Sequence, residues 1–386
     1  MSVAIWNYPT RIHFGAGALS LVPDLCDELN IRAPLLVTDD GLSGIDFIKQ
    51  LLGYCCLSGK SVAMFSDVKG NPTGEQVDEG VNAFLLNECD GIIAVGGGSA
   101  LDVAKTIAVI AYQERPVWTL GGKEYDWSWI SSDKIVPLIA LPTTAGTGSE
   151  VGHSSVIVEE TTCSKKIIFH RDMVPPVVVS DPELTVGLPP HITAATGMGA
   201  FAHCFEAYCA PGFHPMAEGS ALEGMRLIAE ALPVAYEQGD NIDARSSMLV
   251  AAIMGATALR KGSGGVSALA HSLGAIHDIH HGLASAIILP YVMMANQSVI
   301  EPRMALPGRI LNLEATDFNG MLSWLLNFRE QLGLPHTLTE AGIPDIDIEK
   351  VATRAASYSG TQGDSVTLST EQYQQIIVNA LQGRIE

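Results

Sequence analysis

The stretch GIIAVGGGSALDVAKTIAV, residues 91–109, changes its period at a run of three glycines. Gly91 to Val95 form a short, unbroken apolar run, the pattern of a strand covered on both faces, and Ala100 to Val109 continue at helical spacing. A strand that passes through glycine straight into a helix sets backbone N–H groups and the positive end of the helix dipole above the turn, an arrangement that binds phosphate. The run lacks the spacing of the GxGxxG fingerprint, and such turns also serve packing alone.

The same signal recurs on either side. APLLVTDD (33–40), SVAMFSD (61–67), VPLIALPTT (136–144) and PPVVVSD (175–181) are apolar runs bounded by Gly, Pro or Asp, with helical patterns between them. Alternation of this kind predicts an α/β domain with a doubly wound parallel sheet. Beyond DPELTVGLPP (181–190) the strand runs stop, and TAATGMGAFAHCFEAYCA, GSALEGMRLIAEALPVAY and LSWLLNFREQLG read as amphipathic helices, so an all-α domain is expected. Residues 1–185 are assigned to the dinucleotide-binding domain and 186–386 to the helical domain, with a boundary near 183–190. Two domains also suit 386 residues, and a ligand cleft is expected between them.

Composition excludes several classes of partner. With 22 basic against 42 acidic side chains the formal charge is −20, leaving no basic surface for nucleic acid or anionic membrane. The start, MSVAIWNYPTRIHF, has no signal-peptide pattern, and the apolar stretch from Ala284 to Ala295 is short and broken by Pro290, so a cytoplasmic location is expected. Seven cysteines without metal-finger or redox spacing read as reduced, structural thiols.

In an open parallel sheet the binding crevice lies at the carboxyl ends of the strands. Three segments fall there: the GGGS turn, the hydroxyl-rich Thr143, Thr144, Thr147 and Ser149, and the Asn71-Pro72-Thr73 turn. Asp39, at the end of another strand, can accept from a ribose 2′-hydroxyl and repel a 2′-phosphate, which favours NAD over NADP; the other reading of Asp39 is a helix cap.

Together these segments resemble the iron-containing (group III) alcohol dehydrogenase family. The resemblance is carried by FGAGAL (14–19), GGGSALDVAK (96–105), PTTAGTGSE (142–150), DPELT (181–185), ATGMGAFAHCFEAY (195–208) and AHSLGAIHDIHHGLASAIILPYVM (270–293). It covers about residues 8 to 300 and implies a dehydroquinate synthase-like architecture with its catalytic cleft between the two domains. It also implies hydride transfer between NAD(P) and an alcohol, aldehyde or ketone, and a homodimer. By resemblance Asp39, Gly97, Gly98, Ser99, Asp102, Thr143, Thr144 and Thr147 contact the cofactor, and His271 stands beside substrate and nicotinamide.

The family's divalent metal, Fe²⁺ or Zn²⁺, is held by an Asp and a His four residues apart on one helix and by two later His. Here those positions read Gly199, His203, Ser267 and His281. Two imidazoles remain, whereas a catalytic ion ordinarily has at least three protein ligands. His277, Asp278 and His280 lie close by in sequence. Gly199, Ser267, Gly152 and Ser154 are all shorter than what relatives carry, so a roomier pocket is expected. Similar in overall fold, maleylacetate reductases are thought to act without metal. The expected activity is therefore carbonyl reduction with His271 as proton donor, and the alternative is an NAD-binding protein without turnover. Dehydroquinate synthase and glycerol-1-phosphate dehydrogenase share the architecture, but their motifs fit less well.

Overall fold

A computed structural model describes residues 10–113, 115–120, 129–162, 164–358 and 368–385. The extreme N-terminal part of the first assigned domain lies outside these residues. Six parallel strands form one sheet in the order β1-β8-β5-β4-β2-β3: β1 (Arg11–Phe14), β2 (Pro34–Asp39), β3 (Ala63–Val68), β4 (Gly91–Gly96), β5 (Leu138–Pro142) and β8 (Val177–Ser180). Helices α1 (Val22–Glu28), α2 (Asp40–Ser43), α3 (Asp46–Leu57), α4 (Gly74–Leu86) and α5 (Gly98–Ile110) connect them. Every residue of β4 is buried, which is why its sequence is apolar without alternation. One face of the sheet packs with α4 and α5 around Val77, Phe84 and Ile107, and the other with α1 and α3 around Leu25, Ile48 and Leu51.

Strand order explains where a ligand can enter. From β2 the chain moves outward to β3, whereas from β4, the neighbour of β2, it moves the opposite way to β5. The carboxyl ends of β2 and β4, carrying Asp39 and the glycine turn, flank this topological switch point, where an open α/β sheet leaves a crevice.

Two elements were not legible as strands in the sequence. β1 is short and only partly buried, and the antiparallel hairpin of β6 (Ser154–Glu159) and β7 (Ser164–Phe169) stands apart from the main sheet. The hairpin leans over the cleft and packs against the helical half.

From residue 190 on, the described chain is helical: α6 (Pro190–Cys209), α7 (Pro215–Glu237), α8 (Ile242–Ala258), α9 (Gly265–His277), α10 (His281–Ala295), α11 (Gln297–Ile300), α12 (Ala305–Ile310), α13 (Phe318–Gln331), α14 (Ile348–Ala356) and α15 (Thr370–Gln382). Contrary to the amphipathic reading, α6 is buried on all sides from Thr193 to Tyr208, because α7, α8 and α10 surround it. Its many Ala and Gly residues let those neighbours approach. Residues 242–261 are long and apolar enough by composition to cross a bilayer, but α8 packs here against α6 and α7 as a core helix. The six described cysteines are free thiols.

Candidate active site

A cleft of about 1790 Å³ runs between the sheet's carboxyl edge and the helical half, large enough for a dinucleotide with a small substrate. At one end, α5 begins at Gly97 with no side-chain cap, so its first N–H groups remain available to an anion. Gly96 has φ +152°, a conformation that L side chains rarely adopt. At Gly98 a β-carbon would come within 2.7 Å of Thr147 Oγ1, so glycine is needed for the turn to lie against the threonine loop. The Thr143 N–H donates to the Gly96 carbonyl at 3.0 Å, tying the two loops together. Gly97, Gly98, Ser99, Thr143, Thr144 and Thr147 thus all line one end of the cleft.

Asp39 and Asp102 line it too, with prior commitments. Asp39 Oδ1 accepts from the Leu42 N–H at 3.1 Å, so it caps α2, and burial raises its pKa. The cap reading of this residue is what the structure shows, and its carboxylate also lies at the switch point, lining the cleft. Asp102 accepts from Ser149 Oγ at 2.5 Å and from the Val156 N–H at 2.9 Å, and pairs with Lys105 at 3.2 Å. Its carboxylate holds the threonine loop and β6 in place beneath the cleft; a cofactor hydroxyl would meet a carboxylate already occupied.

At the other end, imidazoles gather. His203 of α6 and His281 of α10 have ring centroids 5.9 Å apart, and His271 of α9 lies 4.5 Å from His281 and stacks on Tyr358 at 5.0 Å. Nδ1 of all three is buried without a partner. Desolvation pulls His203 down to about 4 and His271 and His281 well below the ordinary histidine value, with the Lys165 charge adding to the effect on the latter two. These rings are neutral near pH 7. His271, expected as the proton donor, is a neutral ring in this environment, and a neutral ring can donate its N–H.

The family's metal positions do not come together as a ligand set. Gly199 offers no donor. A β-carbon there would meet the Cα of Gly282 at 3.1 Å, so α6 and α10 approach closely at this point, while Gly199 itself lines the cleft. Ser267 Oγ donates to Glu206 Oε2 at 2.5 Å, and Glu206 also accepts from the Val266 N–H at 2.8 Å, capping α9 from inside the core. Burial pushes Glu206 up to about 7. Among the described residues no three His, Cys, Asp or Glu side chains are placed to share an ion.

Sequence reasoning missed one prominent group. Lys165, on β7, faces the cleft with Ile167 and Phe169 at alternate positions. Desolvation lowers its pKa to about 8, while Asp278 and Asp102 act in the opposite direction. Nearby, Asn71 Nδ2 donates to Asp278 Oδ1 at 2.5 Å, joining the two halves across the cleft, with both residues at positive φ. A lysine in a hairpin that does not read as strand gives no signal of its own; the alternation 165, 167, 169 was the available one.

Comparison with known proteins decides the family. The description "Iron-containing alcohol dehydrogenase" matches residues 9–182, and "Fe-containing alcohol dehydrogenase family, C-terminal" matches 193–381. The chain belongs to the iron-containing alcohol dehydrogenase family. It is similar to 4-hydroxybutyrate dehydrogenase of Cupriavidus necator, 37% identical over 90% of this chain and 92% of that one. NAD-dependent methanol dehydrogenase of Bacillus methanolicus is 31% identical over 97% and 98%. Among solved structures, a 1,3-propanediol oxidoreductase aligns with TM-score 0.89 at 30% identity, covering 98% of this chain and all of that one. A sulfoacetaldehyde reductase from Bifidobacterium kashiwanohense in complex with NAD⁺ aligns with TM-score 0.86 at 26% identity, over 98% and 99%. As a member of this family the chain is an NAD-dependent alcohol dehydrogenase, interconverting an alcohol and an aldehyde or ketone by hydride transfer. A nucleotide-binding protein without turnover finds no support in these relationships.

Proposed function

We propose that the physiological direction is reduction of a small aldehyde or ketone by NADH, in the cytoplasm, by a homodimer. The observation that carries the reading is the placement of a dinucleotide-sized cleft with an uncapped helix N-terminus at one end and three neutral imidazoles at the other. The GGGS turn takes the pyrophosphate, Asp39 disfavours a 2′-phosphate, and Thr143, Thr144 and Thr147 bound the path to the nicotinamide. His271 then donates a hydrogen bond to the carbonyl oxygen. Donors aimed at the place where negative charge develops lower the barrier most when water is excluded.

Short oxo-acids are the preferred substrate class. One relative is named for 4-hydroxybutyrate and one solved neighbour for sulfoacetaldehyde, both anionic compounds. In this chain Lys165 brings a positive charge to the same end of the cleft. The test is NADH and NADPH oxidation against a panel of neutral and acidic aldehydes, with 4-oxobutanoate, the oxidised partner of 4-hydroxybutyrate, first. Preference for NADH and for the acidic members supports the reading, and indifference to both would reject it.

A further inference from the structure

Three observations at the imidazole end converge. First, two of the family's four metal positions, although they line the cleft, offer no free ligand: Gly199 has no side chain, and the Ser267 hydroxyl is committed to Glu206. Second, Nδ1 of His203, His271 and His281 is buried without a partner while all three residues line the cleft, so Nε2 is the ring nitrogen of each that a ligand can reach. Third, Lys165 Nζ makes no hydrogen bond and no ion pair among the described residues, yet it is not sealed from the cleft. It lies over Gly274, where a β-carbon would come within 2.5 Å of it. Gly274 is three residues from His271 on α9, hence on the same helix face, and its missing side chain is the room the ammonium uses.

We infer that this chain has exchanged the family's divalent ion for a pocket in which the Nε2–H groups of His203, His271 and His281 and the Lys165 ammonium receive the substrate oxygen. The inference rests on the reading of the site as a carbonyl reductase. Lys165 lines the same cleft as these rings and its Nζ lies over Gly274, one turn from His271, so a divalent cation among the rings would meet a positive charge already in place. The reaction balances without metal. Hydride leaves C4 of the reduced nicotinamide with its electron pair and bonds to the carbonyl carbon. The π pair of the C=O bond moves to oxygen, which takes a proton from the ammonium, giving alcohol and NAD⁺. The Lys165 amine then recovers a proton from water.

Lys165→Gln is expected to lower kcat for carbonyl reduction about 10²-fold, the usual effect of deleting one preorganised charge or donor, with NADH affinity by fluorescence titration nearly unchanged. Lys165→Arg should restore part of the loss. Gly274→Ala, which displaces the ammonium without touching it chemically, should give a smaller loss of the same kind. Full kcat in Lys165→Gln, or a loss confined to NADH affinity, would overturn the inference. A separate measurement keeps it apart from the reductase reading: calorimetric titration of chelator-treated wild-type protein with Zn²⁺ and Fe²⁺. No stoichiometric binding supports the exchange, and one tightly bound ion per chain overturns it whatever the assay shows, whereas absence of NADH-dependent reduction overturns the reductase reading alone.

Discussion

The two ends of the cleft are constructed from different materials. At the glycine-turn end the groups lining the cleft are backbone and short hydroxyls, set by a sheet edge and by loops tied to each other through Thr143 N–H and Asp102. At the imidazole end they are side chains on three separate helices, brought together by contacts such as Gly199 against Gly282. A backbone site tolerates side-chain replacement as long as its glycines persist, whereas a side-chain site changes its chemistry with each residue. That contrast is what the proposed function rests on, with cofactor binding assigned to one end and the exchanged metal site to the other.

The contrast can be broken by variants that should act on one end only. The largest effect is expected from His271→Ala, with carbonyl reduction slowed about 10²-fold or more and NADH affinity nearly unchanged, read by steady-state kinetics and fluorescence titration. Equal losses in both would mean that the two ends are not independent. Gly98→Val should do the reverse: its side chain must push into Thr147, and NADH affinity should fall about tenfold or more while the helical half keeps its stability.

Ser267→Ala removes the hydroxyl from Glu206, and hydrogen bonds to charged groups contribute about 1.5–3 kcal/mol, less when the carboxyl is protonated, so a lower melting temperature is expected with metal content unaltered. Glu206 also predicts a pH trend. Its folded pKa, about 7, lies above the ordinary carboxyl value, so its contribution to stability is present in acid and lost as pH rises through about 7. Glu206→Gln should therefore lose this component, its melting temperature improving relative to wild type between pH 5 and pH 8; a constant difference would contradict the buried, protonatable carboxyl. The smallest effect is expected at Asp39, where Asn should narrow the preference for NADH over NADPH only a few-fold, because one carboxylate oxygen is already occupied by the cap of α2.

How much was legible follows the same division. Strands β2, β4, β5 and β8 announced themselves because burial on both faces demands unbroken apolar runs, and the glycine turn because its conformation excludes other residues. The hairpin did not, since its residues are half-buried and its turn carries no Asn-Gly signal. With the hairpin went Lys165. The absence of ligands at 199 and 267 was visible in the sequence, but not what the replacements do there: Gly199 lets two helices touch, and Ser267 serves a buried glutamate. Such roles depend on what lies opposite, which only the folded chain supplies.

The most direct test of the central claim is carbonyl-dependent NADH oxidation by protein stripped with a strong chelator, its metal content measured in the same sample, before and after anaerobic addition of Fe²⁺ or Zn²⁺. The account predicts turnover at less than a tenth of an ion per chain, roughly the level at which metal could not sustain the rate, and no gain on adding either metal. Turnover that vanishes on stripping and returns with a stoichiometric ion would contradict it.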